Sequence, residues 1–245
     1  MNADTATQLR LLDLQAADTA LAQLGHRRKT LPELAAIAER DRLAADLANA
    51  TVDARTALED IAAEQKRLEA DVDTVRSRTV RDEARLQGGG LPSRELEGLQ
   101  HEIATLARRQ ATLEDELLEV MERAEQAESD LAEATERHES VLAERRDLEA
   151  ARDAALAEID AAAAQRTPER AAIVAEIPAD LLALYEKARA HGGNGAALLR
   201  QRRCEGCRIE LSGSELSGVR KADPDEVVRC ENCRAILVRT AESGL

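Results

Sequence analysis

The sequence predicts a mainly α-helical protein, in which a long antiparallel coiled-coil hairpin precedes a small C-terminal β module. Three observations support this prediction. Strong helix formers dominate the chain, apolar residues recur in alternating steps of four and three, and this repeat stops well before the C-terminal end. The 245 residues include no Phe, no Trp and one Tyr, so the core must consist of aliphatic side chains in narrow seams.

Residues 1–30 precede the main repeat and are predicted to form a separate N-terminal helix. Thr30-Leu-Pro-Glu33 fits a capping box with a proline in the first turn, so a second helix is expected to begin there. Asp4, Arg10 and Asp13 interrupt the opening stretch, which therefore lacks the apolar centre of a signal peptide. With a formal net charge of −14 and no long apolar run, we expect a cytoplasmic protein without membrane contact.

The hairpin is predicted over residues 31–166, where the heptad repeat is strongest. Its first seam runs from Leu47 to Leu86, and Gln65 and Asp82 are its clearly polar members. A second seam begins at Leu96 and weakens but persists to Ala162.

The segment 88–92, Gly-Gly-Gly-Leu-Pro, separates the two seams and is predicted to be the tip of the hairpin. Glycine favours turns and proline cannot continue a helix, so the first arm must end here, and Ser93 is a suitable N-cap for the second arm. Two long arms joined by a short turn should fold back on each other. The alternative, a continuous parallel dimer, is disfavoured by the same interruption.

Residues 167–195 are predicted to be connecting helices, with a helix restarting at Thr167-Pro168 and another following Ile177-Pro178. The second of these should end at the glycines after His191. Tyr185, the only aromatic residue, lies in this last helix. We expect it to pack the helix against its neighbours, and the alternative is an anchor for a binding partner.

Residues 196–245 contain all four cysteines of the chain, as two C-x-x-C pairs formed by Cys204, Cys207, Cys230 and Cys233. Four thiolates complete the tetrahedron that structural zinc prefers, and this saturation leaves no position for a substrate. One structural Zn²⁺ is therefore predicted, although thiolates also accept iron. Redox pairs and disulfides are the other interpretations, but the βαβ context and the export signal that they require are missing.

Short β-like runs alternate with these cysteine pairs and complete the prediction of a four-cysteine zinc ribbon. The runs are 197–199, 209–211, 227–229 and 235–239. A bound metal would replace the hydrophobic core that so small a module lacks.

These residues resemble the bacterial C4-type zinc-ribbon family, in which a coiled-coil hairpin carries a C-terminal ribbon. The resemblance extends over the whole chain and rests on four segments: Arg94–Ile103, Ile177–Glu186, Cys204–Cys207 and Cys230–Leu237. One departure is Arg234-Ala235, where the family more often has Gly-Arg. The resemblance implies an adaptor or a nucleic-acid-binding ribbon, in some members linked to transcription and to flagellar or secretion systems.

The function predicted is a non-enzymatic zinc-binding adaptor that docks protein partners through its hairpin and ribbon. Five arginines make the tip locally positive and are candidate contacts for an acidic partner: Arg76, Arg78, Arg81, Arg85 and Arg94. Solvated surface residues are the plainer interpretation of each of them.

Binding of RNA or DNA by the ribbon is the alternative function. Its candidate contacts surround the first cysteine pair: Arg200, Arg202, Arg203 and Arg208. The ribbon has no aromatic ring for base stacking, and four thiolates on one zinc ion are formally negative, so strong single-strand recognition is disfavoured. The histidines are scattered and no phosphate-binding loop occurs, so neither catalysis nor a small-molecule substrate is expected.

Overall fold

The computed structural model describes residues 1–245, and two long helices form the predicted coiled-coil hairpin. The helices and strands in chain order are α1 (Thr5–Lys29), α2 (Pro32–Gln87), α3 (Ser93–Ala175), α4 (Ala179–Gly192), β1 (Ala196–Arg200), β2 (Arg203–Cys204), α5 (Gly213–Lys221), β3 (Val228–Arg229), β4 (Ile236–Val238) and a 3-10 turn (Ala241–Ser243). The predicted mainly α fold with a small C-terminal β region is confirmed. None of the helices combines the length and the apolar character that a membrane crossing requires.

The chain forms two compact units, one of residues 33–150 and one of residues 1–32 together with 151–245. The first unit is the hairpin. The second contains α1, α4 and the ribbon. The predicted domain boundaries at residues 30, 166 and 195 stay a prediction.

The hairpin core follows the predicted seams. Every predicted seam position from Leu47 to Leu86, and from Leu96 to Leu148, is buried or half-buried. Its most buried cluster consists of Leu68, Val72, Leu113 and Val120. Burial of such aliphatic side chains contributes about 25 cal/mol per Å² of apolar surface, so the narrow seam is the main source of hairpin stability.

Ion pairs between α2 and α3 confirm that the two arms are antiparallel, because residues 40 and 41 near the start of α2 pair with residues 144 and 145 of α3, whereas residue 78 near its end pairs with residue 102. The pairs are Arg40 with Glu144, Asp41 with Arg145, Glu64 with Arg123, and Arg78 with Glu102. Exposed pairs of this kind contribute only about 0–1 kcal/mol each, so they align the arms more than they stabilise them.

The turn between the arms contains residues 88–92. Gly89 and Gly90 have φ angles of 65° and 78°, which are unfavourable for residues with a Cβ atom. The Pro92 carbonyl accepts the first helical hydrogen bond of α3, from the Leu96 N–H at 3.0 Å. The cap of α3 is therefore Pro92, and the prediction of Ser93 at that position is wrong by one residue.

One predicted helix cap and one predicted helix boundary are wrong, although α2 begins at Pro32 as expected. The Thr30 hydroxyl donates to the His26 carbonyl at 3.0 Å, so Thr30 closes α1 and does not cap α2. The predicted restart at Thr167-Pro168 is absent, because α3 continues through Pro168 to Ala175. A proline removes one helical hydrogen bond, but Ile173 and Val174 beyond it pack into a buried cluster, which offsets this loss.

The ribbon sheet has the strand order β2-β1-β4-β3. The central pair β1 and β4 is parallel, and the two outer pairs are antiparallel. The predicted run 209–211 forms no strand and contributes only a bridge between Arg203 and Glu210. Helix α5 was not predicted, although Ser212 and Glu215, which form its capping box, were a usable signal.

The two faces of this sheet belong to different cores, as expected for alternating strand residues. Leu199 and Leu237 lie on the face that packs with Cys204 and Cys230. The other face contributes a second set, which packs with α1 and α4: Ala196, Ile236, Val238, Leu11, Leu14 and Tyr185. The ribbon sheet is therefore the middle layer of its unit. The cysteine cluster covers one face, and α1 and α4 cover the other.

Tyr185 joins the helices to the sheet. Its ring is fully buried, and its hydroxyl donates to the Asp18 carboxylate at 2.7 Å. Arg170 and Arg189 also donate to Asp18, at 2.6 and 3.1 Å. A Cβ atom on Gly195 would lie 2.4 Å from the Tyr185 ring, so the start of β1 rests directly on it. The packing role predicted for Tyr185 is confirmed, and a role as an exposed anchor is excluded.

The Tyr185→Phe variant is expected to lower the free energy of unfolding of its unit by about 1–3 kcal/mol, because buried Asp18 loses a donor. The measurement is the change in urea midpoint followed by circular dichroism. A double-mutant cycle with Asp18→Asn isolates this hydrogen bond from the packing of the ring. A coupling energy near zero would show that the hydroxyl does not contribute.

The Asp82→Leu variant is expected to raise the free energy of unfolding of the hairpin by about 1–3 kcal/mol. Asp82 occupies a buried seam position, and its Oδ2 atom has no hydrogen-bond partner, with the nearest cation, Arg78 Nε, 4.0 Å away. Leucine removes this unpaired oxygen and adds apolar contact. Thermal unfolding is the measurement, and Asp82→Asn, which keeps a polar group, is the matched control. A lower stability of the leucine variant would contradict the expectation.

Candidate metal centre

The four cysteine sulfur atoms converge, each within 4.8 Å of the others. The Sγ atoms of Cys204 and Cys233 are 3.8 Å apart, as are those of Cys207 and Cys230. A tetrahedron with zinc–sulfur bonds of about 2.3 Å has edges of about 3.8 Å. The spacing of the sulfur atoms therefore fits a single zinc ion at their centre.

Burial makes two of these thiols, Cys204 and Cys233, resist ionisation in the absence of a cation. It raises the pKa of Cys204 and of Cys233, although backbone N–H groups in each loop oppose this effect. For Cys207 burial also raises the pKa, but the Ile209 N–H and the neighbouring thiols lower it overall. Because a divalent cation removes the repulsion among four thiolates, the donor set fits the predicted cofactor, one structural zinc ion.

The residue that follows each cysteine pair is an arginine whose backbone lies in the left-handed region. Arg208 and Arg234 have φ angles of 62° and 65°, and their N–H groups donate to the carbonyls of Cys204 and Cys230. A non-glycine residue in this conformation costs about 1–3 kcal/mol. The departure Arg234-Ala235 is therefore tolerated by the turn at an energetic cost that glycine would avoid.

The candidate contact arginines near the first cysteine pair differ in their surroundings. Arg200 forms an ion pair with Glu242 at 3.1 Å, and Arg202 donates to the Gly244 carbonyl at 3.3 Å. Arg203 and Arg208 are exposed and form no ion pair. Only Arg203 and Arg208 of the four are thus exposed without an ion pair or a side-chain hydrogen bond. The contact role of all four stays a prediction.

The candidate contact arginines near the hairpin turn also fall into two groups, those with and those without an ion pair. Arg76 pairs with Glu114 at 3.3 Å and Arg78 pairs with Glu102, so both are occupied within the hairpin. The other three are exposed and form no ion pair: Arg81, Arg85 and Arg94. The positive surface at the turn is therefore smaller than the sequence suggests.

Arg239 has a structural role that was not predicted. Its guanidinium donates to backbone carbonyls along the 219–226 segment, at 2.6 Å to Asp223 and 2.7 Å to Glu226. These hydrogen bonds fix the position of the segment that leads from α5 into β3. A basic residue in a loop-rich module gave no sequence signal for this role, because the acceptors are main-chain atoms.

Two family models match the chain. Residues 14–193 match the CT398-like coiled coil hairpin domain, and residues 203–237 match the C4-type zinc ribbon domain. These matches confirm the resemblance seen in the sequence.

Several mycobacterial proteins are similar over nearly the whole chain. An uncharacterized protein of Mycobacterium tuberculosis strain H37Rv is 42% identical and covers 98% of each chain. Another, from Mycobacterium leprae, is 35% identical over 89% of this chain and 94% of its own. A solved structure from Mycobacterium smegmatis is 40% identical with a TM-score of 0.85, and covers 98% of this chain and 100% of that chain.

CT398 from Chlamydia trachomatis is a more distant structural neighbour. It has a TM-score of 0.67 at 20% identity, and covers 95% of this chain and 97% of that chain. This likeness concerns the fold alone.

The Cys207→Ser variant is expected to lose stoichiometric zinc and the ribbon structure, while the hairpin keeps its helices. The reason is that the hairpin cluster and the cysteine cluster share no residue. Because bound thiolates must be deprotonated, the wild-type chain should also release zinc as the pH falls. Zinc content after dialysis and far-ultraviolet circular dichroism are the measurements, with zinc re-addition to the wild type as control. Loss of most helical signal would contradict the expectation.

Proposed function

Because this chain belongs to the CT398-like coiled-coil hairpin family and ends in a C4-type zinc ribbon, we propose that it is a non-enzymatic adaptor. It docks protein partners through exposed cationic residues of the hairpin and of the ribbon. The zinc ion holds the ribbon in shape. It has no part in chemistry, since four thiolates leave no open coordination position.

The state of the charged groups in a cavity between α1 and α4 supports a non-enzymatic role. This cavity has a volume of about 740 Å³, the size of a small-molecule site. Both carboxylates of the cavity are engaged, since Asp18 and Glu186 accept hydrogen bonds from Arg189. Neither is a free general base, and His26 is left as the one lining side chain of the acid–base type without a side-chain hydrogen bond.

The observation that carries the adaptor proposal is a set of arginines near the hairpin turn that have no carboxylate partner. Arg81, Arg85 and Arg94 are exposed without an ion pair, and Arg81 donates only to the main-chain carbonyl of Ser77, at 3.2 Å. The hairpin is rich in carboxylates, but these pair with other arginines. Unpaired cations on an otherwise acidic chain provide local complementarity to an acidic surface. They therefore suit a protein partner that approaches the turn.

Nucleic-acid binding by the ribbon has less support. Arg200 is paired with Glu242, and Arg202 is bound to a main-chain carbonyl. Tyr185 is the only aromatic side chain and is fully buried, so no ring is available for stacking on a base. The net charge of −14 also disfavours the approach of an extended polyanion.

A photo-cross-linking amino acid at exposed position Gln87 is expected to capture a discrete protein partner in cells of the native host. Changing Arg81, Arg85 and Arg94 together to Ala should reduce this capture roughly tenfold, because the steering charge is lost. The cross-linked species are measured by immunoblot and mass spectrometry.

The matched control changes three other exposed, unpaired arginines of the hairpin to Ala: Arg42, Arg55 and Arg67. Both triple variants change the net charge equally. Equal loss of capture in both would mean that only the overall charge matters, and would contradict docking at the turn.

A further inference from the structure

A small cavity between α4 and the second cysteine pair is lined by three cationic side chains and one histidine, without a single carboxylate. Its volume is about 270 Å³. Lys187 and His191 reach it from α4, Arg229 from β3, and Arg234 from the turn after Cys233. Sequence reasoning did not find this site, because its residues come from separate elements.

None of these four side chains is engaged elsewhere in the molecule. All four are exposed, and none forms an ion pair or a side-chain hydrogen bond. Arg189 on the same helix is, in contrast, fully engaged with Asp18 and Glu186. The cavity therefore brings Lys187, Arg229 and Arg234 together without a carboxylate to neutralise them.

The helix dipole of α4 offers a plainer explanation for the two basic residues of the cavity that lie on this helix, but not for the two that lie on the ribbon. His191 lies in the last turn of the helix, where a basic group complements the helix dipole, and Lys187 lies one turn earlier. Arg229 and Arg234 come from the ribbon and gain nothing from that dipole. Arg234 has a left-handed backbone that glycine would adopt without strain, so the turn itself does not require an arginine there.

Close packing fixes the two sides of the cavity relative to each other. A Cβ atom added to Gly192 would lie 2.8 Å from the Cys233 carbonyl oxygen, so the end of α4 touches the second cysteine pair directly. The zinc-bound turn that positions Arg234 is thus held against the helix that carries Lys187 and His191. The cationic groups are held by rigid elements before any ligand arrives.

The floor of the cavity is apolar. Leu184 and Ala188 lie on the same face of α4 as Lys187 and His191, at spacings of three and four residues, and Ala190 adjoins them. An apolar floor below cationic groups matches a carboxylate next to an aliphatic side chain. A phosphodiester backbone would leave this floor uncovered.

We propose that this cavity binds an acidic segment of a partner protein, in which Asp or Glu residues flank a Leu, Ile or Val side chain. The inference rests on the proposed adaptor function and specifies the chemistry of the partner at the ribbon. The carboxylates pair with Arg229, Arg234 and Lys187, and the aliphatic side chain covers Leu184 and Ala188. The apolar floor favours this occupant over nucleic acid, which would also need a wider cationic surface.

The test uses the zinc-loaded full-length chain and a displayed library of random peptides. Selection is expected to enrich peptides that combine Asp or Glu with an aliphatic residue. A fluorescein-labelled copy of an enriched peptide should bind Arg234→Gly at least roughly tenfold more weakly than the wild type, because a charge-assisted contact is lost. Lys187→Gln, on the exposed face of α4, should weaken binding in the same direction.

Arg208→Gly is the matched control, because Arg208 has the same backbone conformation after the first cysteine pair and does not line the cavity. Glycine suits both positions, so neither variant should disturb the turn. Binding to Arg208→Gly should change less than about twofold.

Four outcomes would overturn the proposal. They are the absence of enriched peptides, enrichment without acidic residues, equal weakening by both glycine variants, and displacement of the peptide by RNA or duplex DNA that itself binds more tightly. If peptide binding fails while cross-linking at Gln87 still captures a protein, only the cavity proposal falls. The adaptor function then stands.

Discussion

The buried hydrogen bond from Tyr185 to Asp18 is the interaction on which the ribbon-containing unit depends. In a chain without Phe or Trp, this ring supplies the largest single apolar contact, and its hydroxyl needs an acceptor once it is buried. Asp18 accepts hydrogen bonds from the Tyr185 hydroxyl and from Arg170 and Arg189, and these two arginines compensate its charge. The bond thereby joins α1, the end of α3, α4 and the start of β1 into one core.

The ribbon sheet is stabilised from both sides by different means. On one face, aliphatic side chains pack against α1, α4 and Tyr185. On the other face, the core is built around the cysteines, which repel each other as thiolates and require a cation. Neither face alone provides a large hydrophobic core, so the metal and the helices act together. The consequence is a rigid frame around Arg229 and Arg234.

Whether each arginine is paired or free is the property that connects this structure to function. Arg123, Arg145 and Arg170 are paired with carboxylates and contribute to alignment or to the core. Arg81, Arg85, Arg94 and the cationic residues around the cavity by α4 are not. On a chain with a net charge of −14, places where several unpaired cations lie together without a neighbouring carboxylate suit acidic protein surfaces. A closed zinc site fits the same picture, since it builds a surface and leaves no position for a reaction.

The sequence by itself determined the two long helices, the turn at 88–92, the seam residues and the four cysteines, because each follows from local periodicity or spacing. It did not reveal that α3 passes through Pro168, that Thr30 closes α1, or that Arg239 holds a loop. Only the tertiary structure decided which arginines are paired and which residues meet beside Cys233. The physical reason is that ion pairs and cavities join residues far apart in the chain, whereas heptads and cysteine pairs are local patterns.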